Sequence, residues 1–251
     1  MVGERMTAMT GTSLKLLMMI LMVFDHIPYF VPENVHAVFH LMTRCVAPFF
    51  VYMTVEGFLH TRSRMRYFLR LFVAAVVMYA GNALLNNVII RDAQYALNDN
   101  IFATLAACVL CLCCFAGAGE TGSVMRRVLR TVAGTIVALG GTMALEWGYI
   151  AIPMALISYC FRGKKWLRNV LYLALSAAAF FLVDFVRYDT PQETFNALVH
   201  HSQFLFILFL PFAYLYNGKK GSDSALLKYS FYAFYPLHLW IIRYVAWRLG
   251  A

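Results

Sequence analysis

Long apolar blocks alternate with short polar segments along most of the chain. A helix that crosses a bilayer needs roughly 20 predominantly apolar residues. The pattern predicts about nine spans, at 14–31, 36–60, 66–88, 101–118, 124–143, 146–162, 166–186, 202–217 and 225–247. The stretch "LGGTMALEWGY" is either a tight turn or a break inside a longer element. We therefore predict an all-α fold, a multi-pass transmembrane helical bundle that forms a single integral membrane domain over residues 1–251.

Basic residues are distributed unevenly between the two sides of this predicted bundle. Cytoplasmic loops carry an excess of Lys and Arg. With a cytoplasmic N-terminus and a C-terminus outside, the outer segments hold only Arg91, Arg187, Arg243 and Arg248. The inner segments hold Arg5, Lys15, Arg62, Arg64, Arg66, Arg70, Arg126, Arg127, Arg130, Arg162, Lys164, Lys165, Arg168, Lys219, Lys220 and Lys228.

Composition agrees with a membrane protein and limits the classes of partner. Of the 251 residues, 62% are hydrophobic and 13% are charged, whereas soluble domains carry about 25% charged residues. The net charge of +9 does not indicate nucleic acid, because the basic residues lie in short clusters between apolar blocks. Four of the six cysteines lie in "CVLCLCC", where packing is favoured over a zinc site.

Ionisable residues inside the predicted spans indicate where a functional site lies. Such residues are rare in hydrocarbon and usually face the protein interior. Asp25 and His26 occur near the end of the first span. Polar residues and one proline recur every fourth position of the second span, so they share one slowly winding face: His36, His40, Arg44, Pro48, Tyr52, Glu56 and His60.

Helix geometry separates the roles of Asp25 and His26. Adjacent residues point about 100° apart, so we expect Asp25 to pair with Arg44 across the helix interface. His26 then faces a cavity, where a neutral imidazole suits a general base. The alternatives are a purely structural ion pair and an interfacial, hydrogen-bonded histidine. Glu56 and His60 are expected to form a separate cluster with Arg62 or Arg64.

Three other features bear on the site. His36 and His40 have ligand-like spacing, but only Glu33 is near enough in sequence to help them, so no metal is expected. In the last span, His238 follows Pro236, which kinks a membrane helix and frees a carbonyl. Glu146 is either a solvated turn residue or a residue facing the same outer cavity as His26.

Three ordered motifs resemble the TraX family, named for the pilin N-acetylase of conjugative plasmids. They are "LKLLMMILMVFDHI" (14–27), "RCVAPFFVYMTVEGFLHTRSRMRYFLRL" (44–71) and "LKYSFYAFYPLHLWII" (227–242). The chain departs from the family pattern at "NIFATL", "YAGNALLNN" and Glu146-Trp147-Gly148. The family in turn is similar to acyltransferase-3 proteins and the lysosomal heparan glucosaminide acetyltransferase.

The resemblance implies an acetyltransferase of the bacterial cytoplasmic (inner) membrane. Cytosolic acetyl-CoA would donate its acetyl group to an outer acceptor, a pilin-like N-terminal amine. Its implied catalytic residues are His26, Asp25 and Arg44, with His40 and Glu146 on the acceptor side. The residues implied to bind the substrate or coenzyme A are Lys15, Glu56, His60, Arg62, Arg66, Tyr235 and His238.

Other functions remain open at the level of sequence. An extracytoplasmic glycan or lipid could be the acceptor instead of a peptide. A small proton-coupled transporter would use Asp25, His26, Arg44 and Glu56 as a relay, although no inverted repeat is evident. A non-catalytic pilus assembly factor would carry the same charges as structural elements. The expected partners are the lipid bilayer, acetyl-CoA and the acceptor, and a homo-oligomer is left open.

Overall fold

The computed structural model describes residues 8–222 and 224–250, and that part of the chain is helical without a β-strand. Backbone groups in a bilayer must be satisfied internally, which a helix achieves within one segment. The α-helices described there are α1 Gly11–Asp25, α2 Glu33–Thr43, α3 Val46–His60, α4 Arg64–Leu84, α5 Ile101–Glu120, α6 Val124–Ala144, α7 Gly148–Cys160, α8 Lys165–Ala179, α9 Pro191–His200, α10 Leu210–Leu215 and α11 Ala225–Leu249.

Several short segments of other helical types extend or join these helices. The helix α4 continues as a π-helical turn over Leu85–Ile90, and α8 continues likewise over Phe180–Asp184. Tighter 3-10 turns lie at Pro28–Phe30, Ala93–Tyr95 and Ser202–Phe209. The predicted all-α fold is therefore confirmed for the described part of the chain.

Within the described residues, four helical segments are long and apolar enough to cross a membrane. They are Glu33–His60, Arg64–Ile90, Ile101–Glu120 and Lys165–Asp184, and the bent pair Pro191–His200 with Ser202–Leu215 would make a fifth. The helix α7, with 13 residues, is shorter than the roughly 20 residues of a full span. The count of nine spans and the sides of the termini stay predictions.

The first predicted span ends earlier than its hydropathy indicates. The helix α1 stops at Asp25, and His26 is its C-terminal cap, with a backbone N–H donating to the Val23 carbonyl. Pro28 follows two residues later; it has no N–H, and it disfavours helical dihedrals at the preceding residue. The prediction of a span to residue 31 was therefore wrong about the helix, because the proline overrides the apolar pattern.

The second predicted span, 36–60, matches the apolar segment Glu33–His60, which contains a short break in the helix. The helix α2 ends at Thr43 and α3 begins at Val46, so Arg44 and Cys45 form a break. Pro48 lacks the N–H that would bond to the Arg44 carbonyl in a continuous helix. Arg44, in the middle of the expected polar face, thus lies at this break.

The predicted outer loop 187–201 contains the helix α9. Thr190 caps it by accepting a hydrogen bond from the Glu193 N–H, and Pro191 occupies the first turn. Both are ordinary helix-start signals. The sequence "TPQE" therefore indicates the start of a helix that hydropathy alone does not reveal.

The stretch between α6 and α7 is a tight turn, one of the two predicted alternatives. Trp147 has a left-handed backbone, with φ of 57°. A Cβ on Gly148 would lie 2.0 Å from the carbonyl oxygen of Gly141. Only glycine allows the start of α7 to approach the end of α6 this closely.

The chain forms two compact units. Among the described residues, the first unit comprises 8–50, 84–97, 176–222 and 224–250, and the second comprises 51–83 and 98–175. In the first unit α1 packs against α2 and α11, and α2 packs against α9. In the second unit α5, α6 and α7 pack against one another, with Cys108 and Cys111 buried among them.

Candidate functional site

The carboxylate of Asp25 is the centre of a hydrogen-bonded cluster in the first unit. Arg44 Nη2 lies 2.9 Å from Asp25 Oδ1 and 2.7 Å from Oδ2. Thr43 Oγ1 donates to Oδ1 at 2.8 Å, and His40 Nδ1 lies 3.0 Å from the same oxygen. The side chains of Asp25 and Arg44 are only 20% and 11% exposed. The predicted Asp25–Arg44 ion pair is therefore confirmed.

The ends of two helices position this cluster. Asp25 is the last residue of α1, and its backbone carbonyl lies 3.2 Å from His36 Nε2. That carbonyl has no partner inside the helix, so the imidazole N–H satisfies it. Thr43 and Arg44 lie at the break after α2, which turns both side chains toward Asp25.

Further contacts of Arg44 fix the orientation of its guanidinium. Nε donates to the His40 carbonyl at 3.0 Å, and Nη1 donates to Gln203 Oε1 at 3.1 Å. The planar fork of an arginine supports several directed hydrogen bonds at once. Arg44 is thus held on all three nitrogens, with its charge neutralised by Asp25.

His40 bridges Asp25 to α9. Its Nδ1 faces the Asp25 carboxylate, and its Nε2 lies 3.1 Å from the backbone carbonyl of His200. Nδ1 also lies 3.2 Å from Arg44 Nη2, so the ring contacts both members of the ion pair. These contacts place His40 in the scaffold of the ion pair.

The imidazole rings of His26 and His238 are neighbours in the first unit, tilted relative to each other. Their centroids are 5.3 Å apart, with the planes inclined at 57°. His26 comes from the cap of α1, and His238 from the middle of α11. Asp25, Arg44 and Arg243 lie close enough to His26 to interact with its ring electrostatically. The structure thus brings together two histidines that are more than 200 residues apart in sequence.

Hydrogen bonding defines the state of the His238 ring. Nδ1 lies 2.9 Å from the carbonyl oxygen of Phe234, so Nδ1 must carry the proton in that contact. Nε2 is buried and has no hydrogen-bond partner in the described part of the chain. The neutral ring therefore presents a lone pair at Nε2. Phe234 stacks on it at 4.9 Å, and Tyr235 meets its edge at 5.8 Å.

Other groups of the first unit were not identified from sequence as site residues. Arg243 donates a close hydrogen bond to the Tyr29 hydroxyl, and its guanidinium lies 5.1 Å from the Tyr29 ring centroid. Thr43 and Gln203 join the Asp25–Arg44 cluster. Chain order gives no signal for these contacts, since they depend on how α1, α2 and α11 meet. Lys15 was predicted to bind the acetyl donor. Its Nζ lies 5.6 Å from the Phe231 ring centroid.

The remaining predicted donor-binding residues belong to the second unit. His60 Nδ1 contacts the Glu56 carbonyl at 2.8 Å and the Glu56 carboxylate at 3.9 Å. Arg62 or Arg64 was expected to join this cluster. Arg64 pairs instead with Glu120 at 2.8 Å. Arg62 and Arg66 have exposed side chains.

Glu146 has a local partner in the second unit. Its carboxylate accepts a close hydrogen bond from the backbone N–H of Asn100, the residue that caps α5. Its backbone carbonyl accepts from Thr104 Oγ1 at 2.7 Å. Glu146 therefore joins the α6–α7 turn to the start of α5.

Apolar helices of membrane-spanning length, together with a neutralised charge cluster and two adjacent histidines, define a helical membrane protein with an internal polar site. The chain belongs to the TraX family, whose "TraX protein" model matches residues 10–246. The chain is also similar to "Probable fimbrial assembly protein FimC, serogroup H1" of Dichelobacter nodosus, at 26% identity over 204 residues and 78% of each sequence. No solved structure matches the chain.

Proposed function

We propose that this protein is a transmembrane acetyltransferase, moving an acetyl group from cytosolic acetyl-CoA to an acceptor outside the membrane. The observation that carries the proposal is the pair of adjacent imidazoles, His26 and His238. They lie in the same unit as the Asp25–Arg44 ion pair. Paired titratable groups in a partly buried setting are typical of acid–base catalysis.

The proposed reaction is one acyl transfer. His26 accepts the proton from the attacking amine or hydroxyl of the acceptor. The acceptor nitrogen or oxygen forms a bond to the thioester carbonyl carbon, and the carbon–sulfur bond then breaks. Coenzyme A leaves as a thiolate and takes up the proton held by His26, so protons and electrons balance.

Neighbouring residues support this role of His26. Arg44 holds Asp25 in place and is the cation proposed to stabilise negative charge on the thioester oxygen. His238, with its lone pair at Nε2, is proposed to contact the substrate beside His26. His40 is proposed to position Asp25 on the acceptor side, where Glu146 was also predicted to act.

The donor is proposed to bind through residues predicted from the family resemblance. These residues are Lys15, Glu56, His60, Arg62, Arg66, Tyr235 and His238. Arginine suits the phosphates of coenzyme A because its guanidinium makes bidentate hydrogen bonds. The proposal involves no metal.

The membrane arrangement proposed for this reaction is the one predicted from sequence. Nine spans in a bacterial inner membrane would place the N-terminus in the cytoplasm and the C-terminus outside. Single cysteines introduced at 63, 163 and 190 in a cysteine-free background test this arrangement with a membrane-impermeant thiol reagent. Labelling in intact spheroplasts is expected only at 190, and labelling at 63 or 163 there would contradict the topology.

The proposed acceptor is a pilin-like N-terminal amine. The relative from Dichelobacter nodosus is named a probable fimbrial assembly protein, which supports an acceptor among pilus subunits. An O- or N-acetylated glycan or lipid would use the same chemistry. One transferred acetyl group adds about 42 Da to its acceptor. Mass spectrometry of pilin from cells with and without the gene separates these acceptors by the position of that added mass.

The decisive test uses the purified protein in detergent with labelled acetyl-CoA. We expect slow thioester hydrolysis, reduced at least about 100-fold in His26→Ala, since a general base contributes typically 10²–10⁴-fold. The matched control is His201→Ala, an exposed histidine of the same unit. If folded wild-type protein neither binds nor hydrolyses acetyl-CoA, the acyltransferase proposal fails.

A further inference from the structure

Arg168 is a buried cation in the second unit that has no anionic partner. It lies in the first turns of α8 and is only 8% exposed. Its Nε is sealed from solvent without a hydrogen-bond acceptor. Among the described residues, no carboxylate forms an ion pair with Arg168. The guanidinium lies over the Tyr52 ring, whose centroid is 5.7 Å from Arg168 Cζ.

Ordinary membrane placement does not explain this side chain. Arginines near the ends of spans normally direct the guanidinium toward water. On the same turn of α8, Lys165 is exposed and Trp166 is 77% exposed. Arg168 is instead directed into the protein, where an unpaired charge is costly.

The surroundings of Arg168 contain polar groups that are already engaged with one another. Ser158 Oγ donates to the Met154 carbonyl at 2.6 Å, so the Tyr172 hydroxyl must donate to Ser158 across 2.7 Å. The Glu56 carboxylate lies 3.9 Å from His60 Nδ1. None of these groups forms an ion pair with Arg168 in the described part of the chain.

The start of α8 adds further positive potential. The first turn contains no acidic residue. The first N–H groups of a helix have no partners inside it, and its N-terminus carries a partial positive charge. A buried guanidinium and a helix N-terminus without a carboxylate form a favourable environment for an anion.

We propose that Arg168 forms a site for a phosphoryl group, with the Tyr52 ring holding the guanidinium in place. Two sources share this chemistry: the head group of an anionic phospholipid and the phosphates of a soluble nucleotide cofactor. Arginine binds phosphate oxygens through two parallel hydrogen bonds. The site does not require acyl transfer; the cofactor source alone rests on the proposed function.

The test compares Arg168→Gln, Arg168→Lys and the control Lys165→Gln in detergent. Thermal stability is measured with pyrophosphate, coenzyme A, short-chain phosphatidylglycerol and short-chain phosphatidylcholine. We expect the wild type and Lys165→Gln to be stabilised by one class of phosphoryl ligand, and at least about a tenfold loss of its affinity in Arg168→Gln. Arg168→Lys should lose less, since it keeps the charge without the fork.

The pattern of ligands identifies the source. Stabilisation by pyrophosphate and coenzyme A indicates a cofactor, and stabilisation by phosphatidylglycerol but not phosphatidylcholine indicates a lipid. Equal responses of wild type and both Arg168 variants to every probe, or no response in folded wild type, would overturn the proposal. His26→Ala separates it from the acyltransferase proposal, because that variant should keep the phosphoryl response even where hydrolysis is lost.

Discussion

Arg44 in the first unit and Arg168 in the second are two inward-facing arginines with opposite environments. Arg44 donates to the Asp25 carboxylate, to Gln203 and to a backbone carbonyl. Arg168 lies against an aromatic ring, and its buried Nε has no acceptor among the described residues. A paired charge holds a scaffold together, whereas an unpaired one stores unfavourable free energy that a ligand can relieve. The comparison separates an arginine whose charge is already paired inside the protein from one whose charge has no ion-pair partner among the described residues.

Removing Arg44 should have the largest effect on stability. In Arg44→Ala the Asp25 carboxylate keeps its buried position without its cation, which costs about 3 kcal/mol. Thermal unfolding in detergent measures the loss. The double variant Asp25→Asn with Arg44→Ala should lose less than the sum of the two single variants. Strict additivity would contradict a coupled pair.

Removing the Thr43 hydroxyl should have the next largest effect. Thr43→Val keeps the shape of the side chain but deletes the 2.8 Å hydrogen bond to Asp25. Hydrogen bonds to charged groups contribute about 1.5–3 kcal/mol, so a loss near the lower value is expected. Thr135→Val, a change at an exposed residue of α6, is the matched control. If the two variants were equally stable, the hydrogen bond from Thr43 would not contribute to the stability of the cluster.

Replacing Arg168 should change stability in the opposite direction. Arg168→Leu removes a buried charge that has no partner, so the ligand-free protein should gain about 1 kcal/mol or stay unchanged. The same variant should lose all stabilisation by phosphoryl ligands. A loss of stability comparable to that of Arg44→Ala, measured by the same unfolding experiment without ligand, would show that Arg168 is already paired.

Removing the Tyr172 hydroxyl should have the smallest effect. Tyr172→Phe deletes the hydrogen bond to Ser158 but leaves Ser158 bound to the Met154 carbonyl. One neutral hydrogen bond contributes about 1 kcal/mol, and the phosphoryl response should persist. If this variant abolished the response, the hydroxyl and not the guanidinium alone would bind the ligand.

Sequence reasoning predicted the Asp25–Arg44 pair because both residues are too costly to leave alone in a membrane. It also identified His26 and His238 separately. It placed the end of α1 too late and did not predict the short break at Arg44 and Cys45, since Pro28 and Pro48 act on the backbone and hydropathy does not record this. Arg168 was read as one more inner basic residue, because burial and the lack of a partner are invisible in chain order.

The sequence by itself determined the class of protein, its helical character and the residues able to carry charge inside apolar segments. These follow from local properties: hydrophobicity, periodicity and the cost of desolvating an ion. Only the tertiary structure decided which groups meet. It placed His26 beside His238, surrounded the Asp25 carboxylate with Arg44, Thr43 and His40, and left the buried Nε of Arg168 without an acceptor. The physical reason is that pairing depends on how distant helices pack, which no single segment specifies.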